Sequence, residues 1–374
     1  MSSDKINTPY SPYKIMHHPD RIADLKQGKM PKPISAIIYP SALCSQDCSW
    51  CSYRLSNYTH MLGSFGEKDP LTGVVNHNPN RMCTYEKMIE LLDDLSLIGC
   101  KAIEYSGSGE PTVHPKHKEF FQYTLDKGMD LSLVSNGVNW KDGVVDILSR
   151  AKWVRVSIDA SNIDTYVNTR RCPKAHWDKA INNIKALVEA KNKNKTDVLI
   201  GVGFVTHNEN YEEMYDAVKL YKELGVDNVR VSCLFTADGI EYVRPFYAKA
   251  LELAKKCVKD FNDDKFKVHN LFTDRAEDLE NGNPNFKMCA QQFVNLLIAA
   301  DKYELYRCCQ TSYNELGLIG SFKDRRFIDL WNDPKTKEIM YSFEPSTCWS
   351  CQFSNRNNLI NYLILDDPLH VNYV

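Results

Sequence analysis

Two hydrophobic periods take turns along this chain. Short apolar runs stand at 35–39, 101–106, 130–134, 153–158, 197–205 and 228–234. Between them, at 84–99, 115–127, 141–150, 175–192 and 210–224, apolar residues recur every three to four positions. The first pattern predicts strands and the second amphipathic helices. Thr84 is placed to cap the helix over 84–99, although Lys87 stands where a full capping box would have glutamate. Strands alternating with helices build right-handed βαβ units on a parallel sheet. Six such units are too few for a closed eight-fold barrel, so the pattern predicts an α/β fold, an open partial (β/α)6 barrel over 35–240.

The flanks follow other patterns. Residues 1–34 are polar and interrupted by Pro9, Pro12, Pro19, Pro31 and Pro33, which predicts an irregular arm with one short helix. Residues 54–83 form an insertion punctuated by Gly, Asn and Pro, longer than ordinary connections; it reads either as a surface loop or as a lid over a substrate. The alternation stops near Asp238. A connecting helical segment over 241–285 includes a helix near 242–261. A smaller module over 286–355 follows, with a β-hairpin of 293–300 and 304–308 turning at Asp301-Lys302 and a helix near 334–342. Residues 356–374 form a tail.

Composition narrows the function classes. A charged share of 25% and a net charge of −2 point to no nucleic acid and no membrane surface as partner. No run approaches the ~20 apolar residues of a membrane span, and the start Met-Ser-Ser-Asp-Lys lacks the apolar centre of a secretory signal. Thirteen cysteines in such a chain favour reduced thiols and metal ligands over disulfides, and the expected location is cytoplasmic.

Eight of those cysteines fall into two groups. Cys44, Cys48 and Cys51 form a CxxxCxxC triplet directly after the first strand, where α/β barrels keep their active sites. Soft thiolates suit iron, and three of them on a cubane iron–sulfur cluster leave the fourth iron open to a substrate or cofactor. A zinc site would need a fourth ligand, for which His60 is the nearby candidate. Cys289, Cys308, Cys309, Cys348 and Cys351 make up the second group. Cys83, Cys100, Cys172, Cys233 and Cys257 read as small core residues.

With their strands, these motifs resemble the radical S-adenosylmethionine (SAM) superfamily over roughly 35–355. The triplet is that family's signature, and the resemblance places Trp50 near the adenine of SAM. Tyr105-Ser-Gly-Ser-Gly-Glu110-Pro is similar to the family's GGE motif, with Ser108 in place of its first glycine. By that likeness Gly109 lets the backbone approach the methionine moiety, and Glu110 accepts from its ammonium group. Ser135-Asn136-Gly137 resembles the TNG turn. The strand ending Ser157-Ile-Asp159 resembles the ribose-contacting strand, with Ser157 as hydroxyl partner. Arg170 matches the arginine aimed at the SAM carboxylate, with Arg171 as a substitute. The barrel is then TIM-like and of the radical SAM type. The C-terminal module resembles the SPASM/twitch extension, whose auxiliary [4Fe–4S] cluster would take Cys289, Cys308, Cys348 and Cys351. Tyr303 departs from the glycine usual in that hairpin, and Cys309 leaves the second ligand ambiguous, with Cys308 preferred on spacing. The alternative for this module is a zinc ribbon.

The resemblance implies two [4Fe–4S] clusters and SAM as cofactors, with reduced flavodoxin or ferredoxin as electron donor. It implies reductive cleavage of SAM to a 5′-deoxyadenosyl radical, which removes a hydrogen atom from the substrate. An auxiliary cluster that accepts the second electron suggests dehydrogenation of a small molecule, a sugar-like or cyclitol-like alcohol. The alternatives are a peptide- or nucleotide-modifying maturase performing epimerisation or C–C or C–S bond formation, and a non-enzymatic zinc or cluster scaffold. Asp159, His207, Asn208 and Asp238 are polar residues at strand ends, and each reads equally as a cap or turn residue. His207 is the candidate proton acceptor.

Overall fold

The computed structural model describes residues 8–51, 53, 82–236, 238–312, 315–366, 368–370 and 372. The insertion expected over 54–83, the lid it was read as, and His60 lie almost wholly outside the described residues. Ten strands form one sheet: β1 (Ser35–Tyr39), β2 (Ala102–Tyr105), β3 (Asp130–Ser135), β4 (Trp153–Ser157), β5 (Leu199–Thr206), β6 (Asn228–Cys233), β7 (Lys267–Asn270), β8 (Asn295–Ala299), β9 (Glu304–Tyr306) and β10 (Leu318–Ser321). Their order is β10-β9-β8-β1-β2-β3-β4-β5-β6-β7. All neighbours from β8 to β7 run parallel, and β9 and β10 turn back antiparallel.

Period-two alternation sets what each face carries. Ile103, Leu131, Leu133, Val154, Val156, Ile200, Val202, Val229 and Val231 are at most 1% exposed, packed beneath the helices. Their neighbours in sequence turn to the opposite, concave face, which is the inside of the open barrel. Thr84 caps the helix Tyr85–Leu97, its Oγ1 accepting from the Lys87 N–H at 3.2 Å. The cysteines assigned to the core, Cys83, Cys100, Cys172, Cys233 and Cys257, are all buried.

The C-terminal half departs from the predicted division. The hairpin β8–β9 is present, but β8 pairs along β1 from Ser35↔Asn295 to Tyr39↔Ala299. The segment over 286–355 therefore continues the barrel sheet instead of forming a layer of its own. The connecting segment over 241–285, expected to be helical, contains strand β7 beside β6. Helices Ile163–Arg170, Phe272–Asn281, Phe327–Asn332 and Ser354–Leu363 add to those expected, and the last occupies what was read as a tail. Tyr303, standing where the resemblance puts glycine, has φ of +60°, the left-handed region that glycine enters freely. No helix among the described residues is long and apolar enough to cross a membrane.

Candidate active site

The cysteine loop leaves the end of β1 and is held on three sides. On the first, the Glu110 N–H donates to the Leu43 carbonyl at 2.7 Å. A Cβ on Gly109 would lie 2.3 Å from that same oxygen, so only glycine lets the two backbones meet here. On the second, the side-chain amides of Asn136 and Asn139 donate to Ser45 Oγ at 3.2 and 3.0 Å, and Asn136 Nδ2 also reaches Cys44 Sγ at 3.9 Å. On the third, the N–H groups of Asp47 and Ser49 donate to the carbonyls of Arg170 and Thr169 at 3.0 and 2.9 Å. The Arg170 guanidinium donates to Gln46 Oε1 at 2.7 Å and reaches Cys48 Sγ at 3.8 Å.

The residues that the resemblance assigned to SAM thus spend hydrogen bonds on the loop and on each other. Glu110 is buried, and its carboxylate accepts from Thr112 N–H, Thr112 Oγ1, Ser135 Oγ and the Asn136 N–H at 2.6–3.1 Å. Three of these donors go to Oε1 and one to Oε2, so Oε2 keeps acceptor capacity beside its bond from Asn136. Arg170 is 2% exposed, ion-paired to the buried Asp159, and its Nε donates to the Ile158 carbonyl at 3.0 Å. Its observed contacts make it a brace of the loop, and Arg171 is exposed. Asp159 is taken up by this pair, Asn208 bonds Tyr242, and Asp238 is exposed.

Four further residues stand near the loop. Ser157 ends β4 on the concave face, its hydroxyl without a hydrogen bond to a described residue, and Ser108 is half-buried in the bend before Gly109. Trp50 packs against His207, ring centroids 5.8 Å apart, with the Arg170 guanidinium 5.7 Å from its ring. Trp50 Nε1 and His207 Nε2 are both buried without a partner. His207 Nδ1 accepts from the Glu209 N–H at 3.3 Å, which leaves the ring proton on Nε2. Burial, and then the Arg170 charge, lower the His207 pKa to about 4. The ring is accordingly neutral, with Nε2–H turned away from the Glu209 bond as a donor.

A second pocket lies beside the hairpin. Cys289, Cys308, Cys348 and Cys351 line it together with Phe286, Phe343 and Trp349. Burial, with each neighbouring thiol adding to it, raises the Cys289 pKa well above its usual value and pushes Cys348 up to about 12. Cys309 turns away to Tyr39 and Tyr53, where Gln352 Nε2 donates to its Sγ. Arg307 braces the pocket wall through the carbonyls of Leu316 and Ile339, both at 3.1 Å. Sequence reasoning missed Gln46, Asn139, Arg307 and Gln352; for Gln46 alone there was a signal, its position inside the triplet.

Both donor sets have the chemistry of iron–sulfur ligands, soft thiols gathered in one loop and in one pocket, although no three potential ligands among the described residues stand together as they would around a bound metal ion. Burial first, then Cys48 and to a lesser degree Cys44, push the Cys51 thiol up to about 12, and burial raises Cys48. Closely grouped buried thiols become thiolates when a cationic metal centre compensates them. A [4Fe–4S] cluster at each set and SAM at the first are the expected cofactors.

Residues 38–219 match the sequence model of the radical SAM superfamily. The chain is 28% identical over 152 residues to a tungsten-containing aldehyde ferredoxin oxidoreductase cofactor-modifying protein of Pyrococcus furiosus, the match covering 40% of this chain and 43% of that protein. It is 25% identical over 187 residues to the sporulation killing factor maturation protein SkfB of Bacillus subtilis, covering 50% of this chain and 39% of that one. The matches thus span less than half the length of either relative. Among solved structures, Streptococcus suis SuiB bound to precursor peptide SuiA superposes with a TM-score of 0.59 at 15% identity, covering 90% of this chain and 73% of SuiB. The protein anSMEcpe with bound AdoMet and Kp18Cys peptide gives 0.55 at 16%, covering 87% and 88%. At these identities the solved structures show a shared fold.

Proposed function

Starting from a chain that carries a radical SAM domain over residues 38–219, we infer that it is a maturase which modifies a peptide by removing a hydrogen atom from one of its carbons. The observation that carries this reading is the pairing of two thiol sites on one sheet. The triplet follows β1, and the four-thiol pocket flanks the hairpin whose first strand pairs with β1. The name of the Bacillus relative, a maturation protein for a sporulation killing factor, supports a maturase, and the similarly folded SuiB and anSMEcpe were solved with peptides bound, which supports a peptide as substrate. These relatives favour a maturase over dehydrogenation of a sugar-like or cyclitol-like alcohol.

In this reading Cys44, Cys48 and Cys51 hold the first cluster, and Cys289, Cys308, Cys348 and Cys351 hold the second. When bound, the first cluster and SAM supply a carbon-centred radical, with a reduced flavodoxin or ferredoxin as electron source. The chain's own part is positional. Asn136, Gln46 and Arg170 fix the loop, so the three thiols keep one geometry. Ser157, Trp50 Nε1 and His207 Nε2 offer hydrogen bonds to a ligand in front of it. The concave face shields the reacting carbon from water.

The test supplies reconstituted protein, SAM and dithionite with a deuterated peptide pool or a deuterated sugar and cyclitol pool. Deuterium in 5′-deoxyadenosine from the peptides alone is the expected result. Label from the sugar pool alone would replace the maturase with a dehydrogenase, and no 5′-deoxyadenosine at all would remove the radical reading.

A further inference from the structure

Three charged side chains on the concave face have no hydrogen-bond or ion-pair partner among the described residues, although the Arg155 guanidinium lies 5.4 Å from the centre of the Trp153 ring. On β2, Tyr105 turns outward, its Oη donating to the Phe120 carbonyl at 3.3 Å, so Glu104 turns inward. Strands β4 and β6 carry the same tetrad, Val154-Arg155-Val156-Ser157 and Val229-Arg230-Val231-Ser232. The valines are at most 1% exposed beneath the helices, so both arginines face into the barrel. Between them β5 contributes Gly201 and Gly203, a strip without side chains. Gly203 pairs with both Ser157 and Arg230, and a Cβ built on it would sit 3.7 Å from Arg155 Cδ.

Among the described residues, none makes a hydrogen bond or an ion pair with the side chain of Glu104, Arg155 or Arg230, and Arg230 Nε is buried without a partner. The three are in electrostatic reach of one another. Burial raises the Glu104 pKa while Arg155 and Arg230 draw it back, and burial with Arg155 lowers Arg230 to about 10. All three residues are half-buried, and two cations against one anion leave a net positive charge on this face that an anion would neutralise. Planar guanidinium forks match a carboxylate in geometry.

Resting on the peptide reading above, we propose that Arg155 and Arg230 form a carboxylate site inside the barrel. It selects a peptide carrying an acidic side chain or a free C-terminus, whose neighbouring amide N–H donates to Glu104. Both arginines lie two residues before Ser157 and Ser232, deeper than the strand ends from which the cysteine loop emerges. That depth favours the substrate over the carboxylate of SAM as the anion.

The test uses the reconstituted full chain, with SAM and three peptides as titrants: acetyl-Gly-Glu-Gly-amide, acetyl-Gly-Gln-Gly-amide and acetyl-Gly-Gln-Gly with a free terminus. Either or both of the charged peptides should bind at least tenfold more tightly than the neutral one, and the stronger identifies the source of the carboxylate. Arg155→Gln with Arg230→Gln should erase that preference and leave SAM affinity within twofold. Glu104→Gln removes the one internal counter-charge and should widen the preference, an outcome a purely structural role would not give and one that survives misfolding of the double variant. Equal affinity for all three peptides overturns the proposal, and so does loss of SAM affinity in the arginine variant. Failure of the wild-type chain to bind SAM would instead strike the radical SAM reading, while the peptide preference is still measured independently.

Discussion

Gly109 carries the narrowest tolerance in the site, because a side chain there meets backbone and not a flexible tip. Gly109→Ala places its Cβ 2.3 Å from the Leu43 carbonyl oxygen, so strand end and cysteine loop must part. We expect a loss of about 1–3 kcal/mol and a fall from about eight to about four iron per reconstituted chain, read by iron and sulfide analysis with a thermal melt. His207 gives a second residue-scale expectation. Its pKa falls from the usual 6.5 to about 4 on folding, so below 6.5 the unfolded chain binds the proton that the folded chain refuses. Stability contributed by this ring is therefore complete above pH 6.5 and declines as the pH drops toward 4, by about 3 kcal/mol in all. His207→Gln should flatten that part of a stability-against-pH curve, and an unchanged slope would show that the ring titrates normally. The sequence named these residues by motif but not their partners. The motif named Gly109 but not its closeness to the Leu43 carbonyl, and named Glu110 but not the bonds it accepts from Thr112, Ser135 and Asn136. Motif spacing tells which residues gather at one place, and hydrogen-bond accounting in three dimensions decides what each is free to do.

At the scale of elements, strands β1 to β6 were legible because each has two faces with different demands, and the two periods reported them directly. Strand β7 was not. Its four residues Lys267-Val-His-Asn hold one buried side chain, Val268, too short a run for a period to register. The repeated Val-Arg-Val-Ser tetrads show the opposite case: the alternation placed both strands while the charges inside it signalled the site. The junction of β4 with the helix Ile163–Arg170 is where an element depends on one contact. Asp159, two residues past the strand, has φ of +57°, strained for a side-chain residue, and its carboxylate accepts from the Val205 N–H at 2.7 Å while pairing with Arg170. Arg170→Ala strands that carboxylate in the core, and breaking a buried pair from one side costs about 3–5 kcal/mol. The melting temperature and the iron at the first site should fall together. If Arg170 served only as a contact for SAM, the variant would keep both and lose SAM affinity alone, which a melt and a SAM titration separate.

For the molecule as a whole, the decisive feature is that one sheet carries both thiol sites, a continuity hidden from the sequence because β1 and β8 are 255 residues or more apart and nothing local marks their pairing. The barrel half was legible in its motifs; the join was not, and the C-terminal module therefore looked like an appendage. A shared sheet makes the two sites separable by chemistry but coupled through structure. Cys348→Ala with Cys351→Ala should lower iron to about four per chain, leave SAM cleavage in the absence of substrate, and stop peptide modification. Replacing Cys44, Cys48 and Cys51 should end SAM cleavage altogether. The sharpest case is the adjacent pair after β9. Cys308 stands among Cys289, Cys348 and Cys351, whereas Cys309 turns to Tyr39 and Tyr53 under the Gln352 amide. Cys308→Ser should therefore lose the second cluster, while Cys309→Ser should retain about eight iron per chain and the electron paramagnetic resonance signal of both reduced clusters. If Cys309→Ser loses the cluster and Cys308→Ser keeps it, the thiol facing the barrel is the ligand and the pocket has been assigned to the wrong side of the hairpin.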